Sequence, residues 1–203
     1  MIVVVVTGGI GAGKSLASER FRARGATAID LDDLARPLLE PGTPTFERIV
    51  AGFGASILDA HGRIDRAELA RRAFSSAEAT AKLNAIVHPA LTIATKGLLE
   101  ELNLRTESPQ LVVVEVPLLV EAPEFAKLAD VVLAVSADPE LRLSRSVAWG
   151  REEADARARM ARQASDTERE ALADRVIVNE GTREEFLARI EAFADELVAS
   201  SDT

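Results

Sequence analysis

Apolar residues cluster along this chain in short runs that do not alternate with polar ones. IVVVVT (2–7), LVVVEV (111–116) and VVLAV (131–135) are the strongest, with shorter runs at TAID (27–30) and RVIV (175–178). Because they are rich in Val and show no clear solvent-facing side, they read as strands covered on both faces, the habit of a parallel sheet. The stretches between them carry helical signals. A helix is predicted over 14–24. Asp65, with Glu68 three residues on, starts another in DRAELARRAF. Pro89 suits the first residue of a third, and Thr182 with Glu185 forms a capping box for the last. Strand alternating with helix gives an α/β fold.

One interval breaks that rhythm: residues 34–103 hold helical patterns and no convincing strand. This predicts a largely helical insert beside the sheet. PGTP (41–44) and DAHGR (59–63) punctuate it as turns, and ESP (107–109) leads back to the sheet. The tail SSDT is expected to fray. There is no internal repeat, low-complexity tract or Pro/Gly linker.

Composition narrows the chemistry. At 203 residues and 47% hydrophobic, the chain is expected to fold as one soluble domain with a full core. No run approaches the roughly 18 apolar residues of a membrane span, and the N-terminus enters a strand without a basic segment, so the expected compartment is the cytoplasm. With no Cys and two His, thiolate chemistry is excluded and any metal should be Mg²⁺ held by oxygens. A net charge of -9 argues against a nucleic-acid surface.

The run at 2–7 ends in GGIGAGKS, where Gly8, Gly13, Lys14 and Ser15 match G-x-x-x-x-G-K-[ST] between a predicted strand and a predicted helix. Glycines let successive N–H groups turn inward around phosphate oxygens, and the following helix adds positive potential. Lys14 is expected to reach the β- and γ-phosphates and the Ser15 hydroxyl to ligate Mg²⁺. Such a cradle implies a bound nucleoside triphosphate. ATPases, GTPases and small-molecule kinases all possess one.

Acids at other strand ends point toward a kinase. AIDLDDLAR (28–36) places Asp30, Asp32 and Asp33 where the second strand ends, and ligands of open α/β sheets gather at such ends. In an extended segment Asp30 and Asp32 point the same way. The alternative is that they cap the next helix, with Asp33 as the cap. A carboxylate beside the γ-phosphate can orient an acceptor hydroxyl and take its proton. Glu115 sits where an acid would hold Mg²⁺ opposite the cradle, unless it is a plain surface or salt-bridged Glu. Pro117 ends that strand, so Leu118 and Leu119 are expected to form a wall.

Six arginines (142, 145, 151, 157, 159 and 162) lie on two predicted short helices joined near Trp149-Gly150, a pattern suited to a lid. Most fit a solvated face with pairs such as Glu153 to Arg157; Arg145 and Arg159 are the functional candidates. Trp149 either covers a base or packs. His88 in LNAIVHP and Arg66 in RIDR are candidates for substrate contact, each with a structural alternative.

Together TGGIGAGKS (7–15), IDLDDLAR (29–36), FG (53–54), GRIDRAELA (62–70), LNAIVHP (83–89), VPLLVE (116–121), ARMARQ (158–163) and ADRVIVNEG (173–181) resemble the dephospho-CoA kinases. They occur in that family's order over about residues 1–198. The resemblance implies a P-loop kinase-type three-layer fold with a five-stranded parallel sheet. Its core would be 1–33, 108–138 and 164–203, its CoA-binding insert about 34–107 and its lid about 139–163. It implies transfer of the ATP γ-phosphoryl group to the ribose 3'-hydroxyl of dephospho-CoA. Asp32 would be the base, with Lys14 and Arg145 also catalytic. Gly8, Gly11, Ala12, Gly13, Lys14, Ser15, Leu16 and Asn179 would contact ATP, Asn179 near the adenine. Asp30, Arg66, His88 and Leu118 would contact the substrate, and Ser15 with Glu115 would hold Mg²⁺. The small-molecule substrate would be the main partner, with neither nucleic acid nor membrane, and the protein a monomer or weak homo-oligomer.

Three positions depart from that family's usual pattern. Leu31 separates the aspartates where a small residue is usual, Leu16 follows the P-loop Ser where Thr is usual, and Trp149 stands where a second lid arginine is expected. Two other readings are weaker. A shikimate kinase would also pair a P-loop with Asp-x-Asp, but the long insert and the missing Gly-Gly-Gly stretch oppose it. A non-catalytic nucleotide-binding regulator would not need Asp32.

Overall fold

The computed structural model describes residues 1–201, which form two compact units: a sheet unit of Met1–Ile29 with residue 102 onward, and a helical unit of Asp30–Glu101. In the sheet unit the five expected strands are all present: β1 (Ile2–Gly8), β2 (Thr27–Ile29), β3 (Leu111–Glu115), β4 (Val131–Ser136) and β5 (Arg175–Val178). They run parallel in the order β2-β3-β1-β4-β5. Val4 pairs in register with Val113 on one side and Val131 on the other. The chain leaves β1 toward β2 on one flank and later crosses to β4 on the other, so the carboxyl end of β1 is a topological switch point.

Both faces of the sheet are covered, which is why the strand sequences lack alternation. On one face Val4, Val6, Val113, Leu133 and Val135 pack with Phe21 of α1 (Lys14–Ala23) and with Phe186, Ile190 and Phe193 of a long C-terminal helix, Arg183–Ser201. Phe21 and Phe193 meet edge to face at 6.3 Å between centroids. Truncating a buried Phe of this kind to Ala costs about 3–5 kcal/mol. On the other face Val3, Val5, Val112, Val114 and Val132 are equally buried.

The helical unit contains α2 (Leu31–Leu38), α3 (Pro44–Phe53), α4 (Arg66–Ala73) and most of α5 (Ala77–Leu104). Its small core is Ile49, Ile57 and Leu69, flanked by Phe53, Leu83 and Ile86. Between these helices there is a single antiparallel bridge, Leu58 to Ile64, across the turn at 59–63. The FG pair at 53–54 marks the end of α3, where Arg72 Nη1 donates to the Phe53 carbonyl at 2.9 Å and Lys82 Nζ to that of Gly52 at 2.6 Å. These cations satisfy carbonyls at the negative end of the helix.

Three local expectations are corrected. Pro89 does not begin a helix; it lies inside α5, a helix of 28 residues. Pro89 and Ala85, the residue whose carbonyl loses its partner, are both exposed, so water can replace the missing bond. The cap of α2 is Asp30 rather than Asp33: its carboxylate accepts from the amides of Asp32 at 2.8 Å and Asp33 at 3.4 Å. Helix therefore starts at Leu31, and Asp30 and Asp32 are not a pair on one extended strand. Finally, the helix at the C-terminus continues through Ser200 and Ser201 of the SSDT tail, whose Asp202 and Thr203 lie outside the described residues.

Candidate active site

The stretch from Gly8 to Ser15 joins β1 to α1 as a loop closed by its own lysine. Lys14 Nζ donates to the Gly9 carbonyl at 3.0 Å, and the Ala12 amide to the same carbonyl at 3.2 Å. Gly11 and Gly13 adopt φ of 78° and 111°, the left-handed region that side chains disfavour. Each is also crowded: a Cβ on Gly11 would overlap the Arg142 backbone, and one on Gly13 would overlap Asn179 Nδ2.

The helix that follows is open at its N-terminus. Gly13 supplies no side-chain cap and the first turn of α1 holds no acid, whereas α2, α3 and α4 each begin on a capping Asp or Thr. Uncapped N–H groups at a positive helix end bind an anion readily.

Glu115, the last residue of β3, stands opposite. It accepts from Ser15 Oγ and Ser18 Oγ, both at 3.2 Å. Ser15 and Ser18 are three residues apart on α1 and so share a face. A hydroxyl beside a carboxylate is a hard-oxygen donor set of the kind Mg²⁺ accepts with phosphate and water completing its shell. Among the described residues no cluster of three or more His, Cys, Asp or Glu forms a rival metal site.

The far wall comes from β5 and from α6 (Pro139–Ala148), the helix after β4. Asn179, one residue past β5 and buried, donates from Nδ2 to the Ala12 carbonyl at 2.7 Å. Arg145 reaches in from α6: Nη2 donates to the Asn179 carbonyl at 3.0 Å and Nη1 to the Gly11 carbonyl at 3.4 Å. Residues from the carboxyl ends of β1, β3, β4 and β5 thus meet at one rim. Lys14 is pulled down from 10.5 to about 8, chiefly by burial; Glu115 pulls the other way, and Arg169 and Arg142 add repulsion.

Of the residues expected at a site, Gly8, Gly11, Ala12, Gly13, Lys14, Ser15, Glu115, Arg145 and Asn179 come together here. Leu16 is half-buried on α1. Of the expected wall only Leu119 is enclosed, at 1% exposure; Leu118 is 42% exposed. Arg159 lies on α7 (Glu153–Arg162) and pairs with Asp155 of the same helix at 2.8 Å. Trp149 ends α6 at 68% exposure.

In the helical unit, Asp30 caps α2, Asp32 occupies its first turn, Arg66 opens α4 exposed, and His88 lies half-buried within α5. Arg142 is among the lid arginines that the sequence assigns to a solvated face, and no role is expected of Gln163 or Arg169; the structure instead buries Arg142 and Arg169. Gln163 Oε1 accepts the Ile10 amide of the loop at 2.9 Å. One available signal was spacing: 142 and 145 are three apart, so two arginines share one face of α6.

A family model described as dephospho-CoA kinase matches residues 2–185. A dephospho-CoA kinase of Thermobifida fusca is 43% identical over 198 residues, 97% of this chain and 96% of its own. The chain belongs to the dephospho-CoA kinase family. A crystal structure from Thermus thermophilus, 32% identical, covers 97% of both chains with a TM-score of 0.75. Shikimate kinase from Acinetobacter baumannii shares the fold alone, with 16% identity, a TM-score of 0.52 and coverage of 97% of this chain and 94% of its own. Its likeness and the P-loop geometry make the fold that of the P-loop kinases, and the sequence identity assigns the chain to the dephospho-CoA kinase branch.

Proposed function

We propose that the protein transfers the γ-phosphoryl group of ATP to the ribose 3'-hydroxyl of dephospho-CoA, giving coenzyme A and ADP. The observation that carries this reading is the closed Gly8–Ser15 loop with its lysine and uncapped helix, in a chain of this family. The loop amides and Lys14 bind the phosphates, and Arg145, tied to two carbonyls at the rim, supplies positive charge beside the transferring group. Ser15 and Glu115 would hold Mg²⁺, which neutralises phosphate charge when bound.

Asp32 is the proposed base. Of the three acids after β2, Asp30 is engaged in the cap and Asp33 pairs with Arg36 at 2.8 Å. The exposed Asp32 carboxylate has no partner among the described residues, which leaves it available to a substrate hydroxyl. As the oxygen attacks phosphorus, Asp32 takes its proton and ADP leaves with the bond electrons. Asp30, Arg66, His88 and Leu118 are the proposed contacts to dephospho-CoA, with 34–107 as the CoA-binding part and 139–163 as the lid. The proposed setting is the cytoplasm, with the protein a monomer or weak homo-oligomer.

Incubating the purified protein with ATP, Mg²⁺ and dephospho-CoA, and with shikimate as control, tests the reading. CoA and ADP should form only with dephospho-CoA; absence of CoA overturns the acceptor. Asp32→Asn should lower kcat by about 10²–10⁴-fold and leave ATP affinity unchanged. A near-normal kcat removes Asp32 as base.

A further inference from the structure

Two arginines the reaction scheme has not used lie against the P-loop. Arg142 of α6 is 6% exposed, and Arg169, in the short helix Asp166–Glu170, is 3% exposed. Both bind one carboxylate: Arg142 Nη2 donates to Asp166 Oδ2 and Arg169 Nη1 to Asp166 Oδ1, each at 2.8 Å. Two buried guanidiniums thus share one hydrogen-bonded carboxylate. Arg142 Nε is buried with no hydrogen-bond partner among the described residues.

Both guanidiniums converge on Gly9. A Cβ there would overlap Arg142 Nη1 and would stand 3.5 Å from Arg169 Nη1. The Gly9 carbonyl is the one that holds Lys14 Nζ. Three buried cations therefore surround one peptide, against Asp166 and, nearby, Glu115 at Lys14 and Glu121 at Arg169. Burial is the first cause that weakens the charge of both Lys14 and Arg169, and repulsion from Arg142 adds to it in each. Of those carboxylates only Asp166 is hydrogen-bonded to the guanidiniums, so donors such as Arg142 Nε are left unsatisfied, and a buried charged donor without an acceptor is costly unless an anion supplies one.

We propose that Arg142 and Arg169, clamped by Asp166, form an anion subsite on the Gly9 side of the loop that takes the terminal phosphoryl group of the triphosphate. This rests on the reading of the protein as an ATP-using kinase. The helix N-terminus at Gly13–Ser15 serves the inner phosphates, and Lys14, whose ammonium rests at Gly9, spans to the terminal ones. Cations at Gly9 thus share the terminal group with Lys14. Arginine suits the position because its fork keeps one nitrogen on Asp166 while others face phosphate oxygens.

Titration calorimetry with ATP, ADP, tripolyphosphate and pyrophosphate, on the wild type, Arg142→Gln and Arg169→Gln, tests the subsite. The variants should bind the two triphosphate probes about tenfold or more weaker, the effect of removing a charge-assisted hydrogen bond to phosphate, and stay within about twofold of wild type for the two diphosphates. Equal losses on both classes, or none, overturn the subsite. Because removing one buried guanidinium can unfold the site, the wild type crystallised with a non-hydrolysable ATP analogue is a second test. A guanidinium nitrogen within about 3 Å of a γ-phosphoryl oxygen is expected, and both guanidiniums beyond about 4 Å from every such oxygen overturn the proposal. Turnover separates the two readings. Triphosphate binding that depends on these arginines without CoA formation sinks the acceptor and leaves the subsite; CoA formation with variants that do not distinguish triphosphate from diphosphate sinks the subsite alone.

Discussion

Helices α6 and α7 are adjacent, rich in the same residue, and differ in what their arginines meet. On α6, Arg142 is buried against Gly9 and Arg145 is tied to the carbonyls of Gly11 and Asn179. On α7, Arg157 pairs with Glu153 and with Glu140 of α6, and Arg159 pairs with Asp155, all at exposed positions. Helical spacing explains both sets. An arginine four residues after an acid finds its partner on its own helix, in water, where such a pair contributes at most about 1 kcal/mol. Arg142 and Arg145 instead share a face turned to the Gly8–Ser15 loop, whose carbonyls accept from side chains of other segments, so that charge is held in fixed geometry. The lesson is that arginine count does not locate a phosphate site; the backbone opposite the arginine does.

Arg145→Ala should have the largest effect on that contrast. Turnover is expected to fall about 10²–10³-fold in a coupled ADP assay, the usual loss on removing one charge donor from a preorganised site. A fall of less than about fivefold would erase the difference between the helices. Asn179→Ala comes next. It leaves the Ala12 carbonyl without its donor and removes the Asn179 Oδ1 that accepts from Arg145 Nη2 at 3.4 Å, and should lower stability by about 1–3 kcal/mol in urea unfolding while weakening ATP binding.

Lys14 gives a pH test of the same rim. Its folded pKa of about 8 lies below the unfolded 10.5, so between these values the unfolded chain holds a proton the folded one lacks. Stability of the free protein should therefore rise with pH across that window. ATP affinity should move oppositely, because the nucleotide needs the charged lysine: about tenfold weaker at pH 9 than at pH 7, with proton uptake visible in calorimetry across buffers. Lys14→Ala should flatten that slope. The smallest effects belong to α7. Arg157→Ala and Arg159→Ala should change turnover less than about twofold and stability by less than about 1 kcal/mol; a large loss in either would give the arginines of α7 a part in the reaction equal to those of α6.

Much of this was legible in the chain. The five strands follow from Val-rich runs covered on both faces, and the cradle follows from glycine spacing between a strand and a helix. Glu115 was recognisable because an acid interrupts an apolar run at a strand end. What escaped had a common cause. Asp30, Asp32 and Asp33 are chemically alike, and which one caps α2 depends on the backbone angle where β2 ends. Pro89 carries a helix-start signal that the packing of α5 overrides. Arg142 and Arg169 stand 24 and 3 residues from Asp166 along the chain, so no local pattern shows that one carboxylate joins both guanidiniums.

The sequence by itself determined the strands and the phosphate loop, because hydrophobic patterning and glycine spacing act over a few residues, and the order of its motifs carried the resemblance to the kinase family. Only the tertiary structure decided which arginines join the loop, that Asn179 holds the Ala12 carbonyl and that Lys14 is pulled down to about 8. Those outcomes depend on burial and on contacts between segments far apart in the chain, and both arise only once the sheet has closed and its strand ends share one rim.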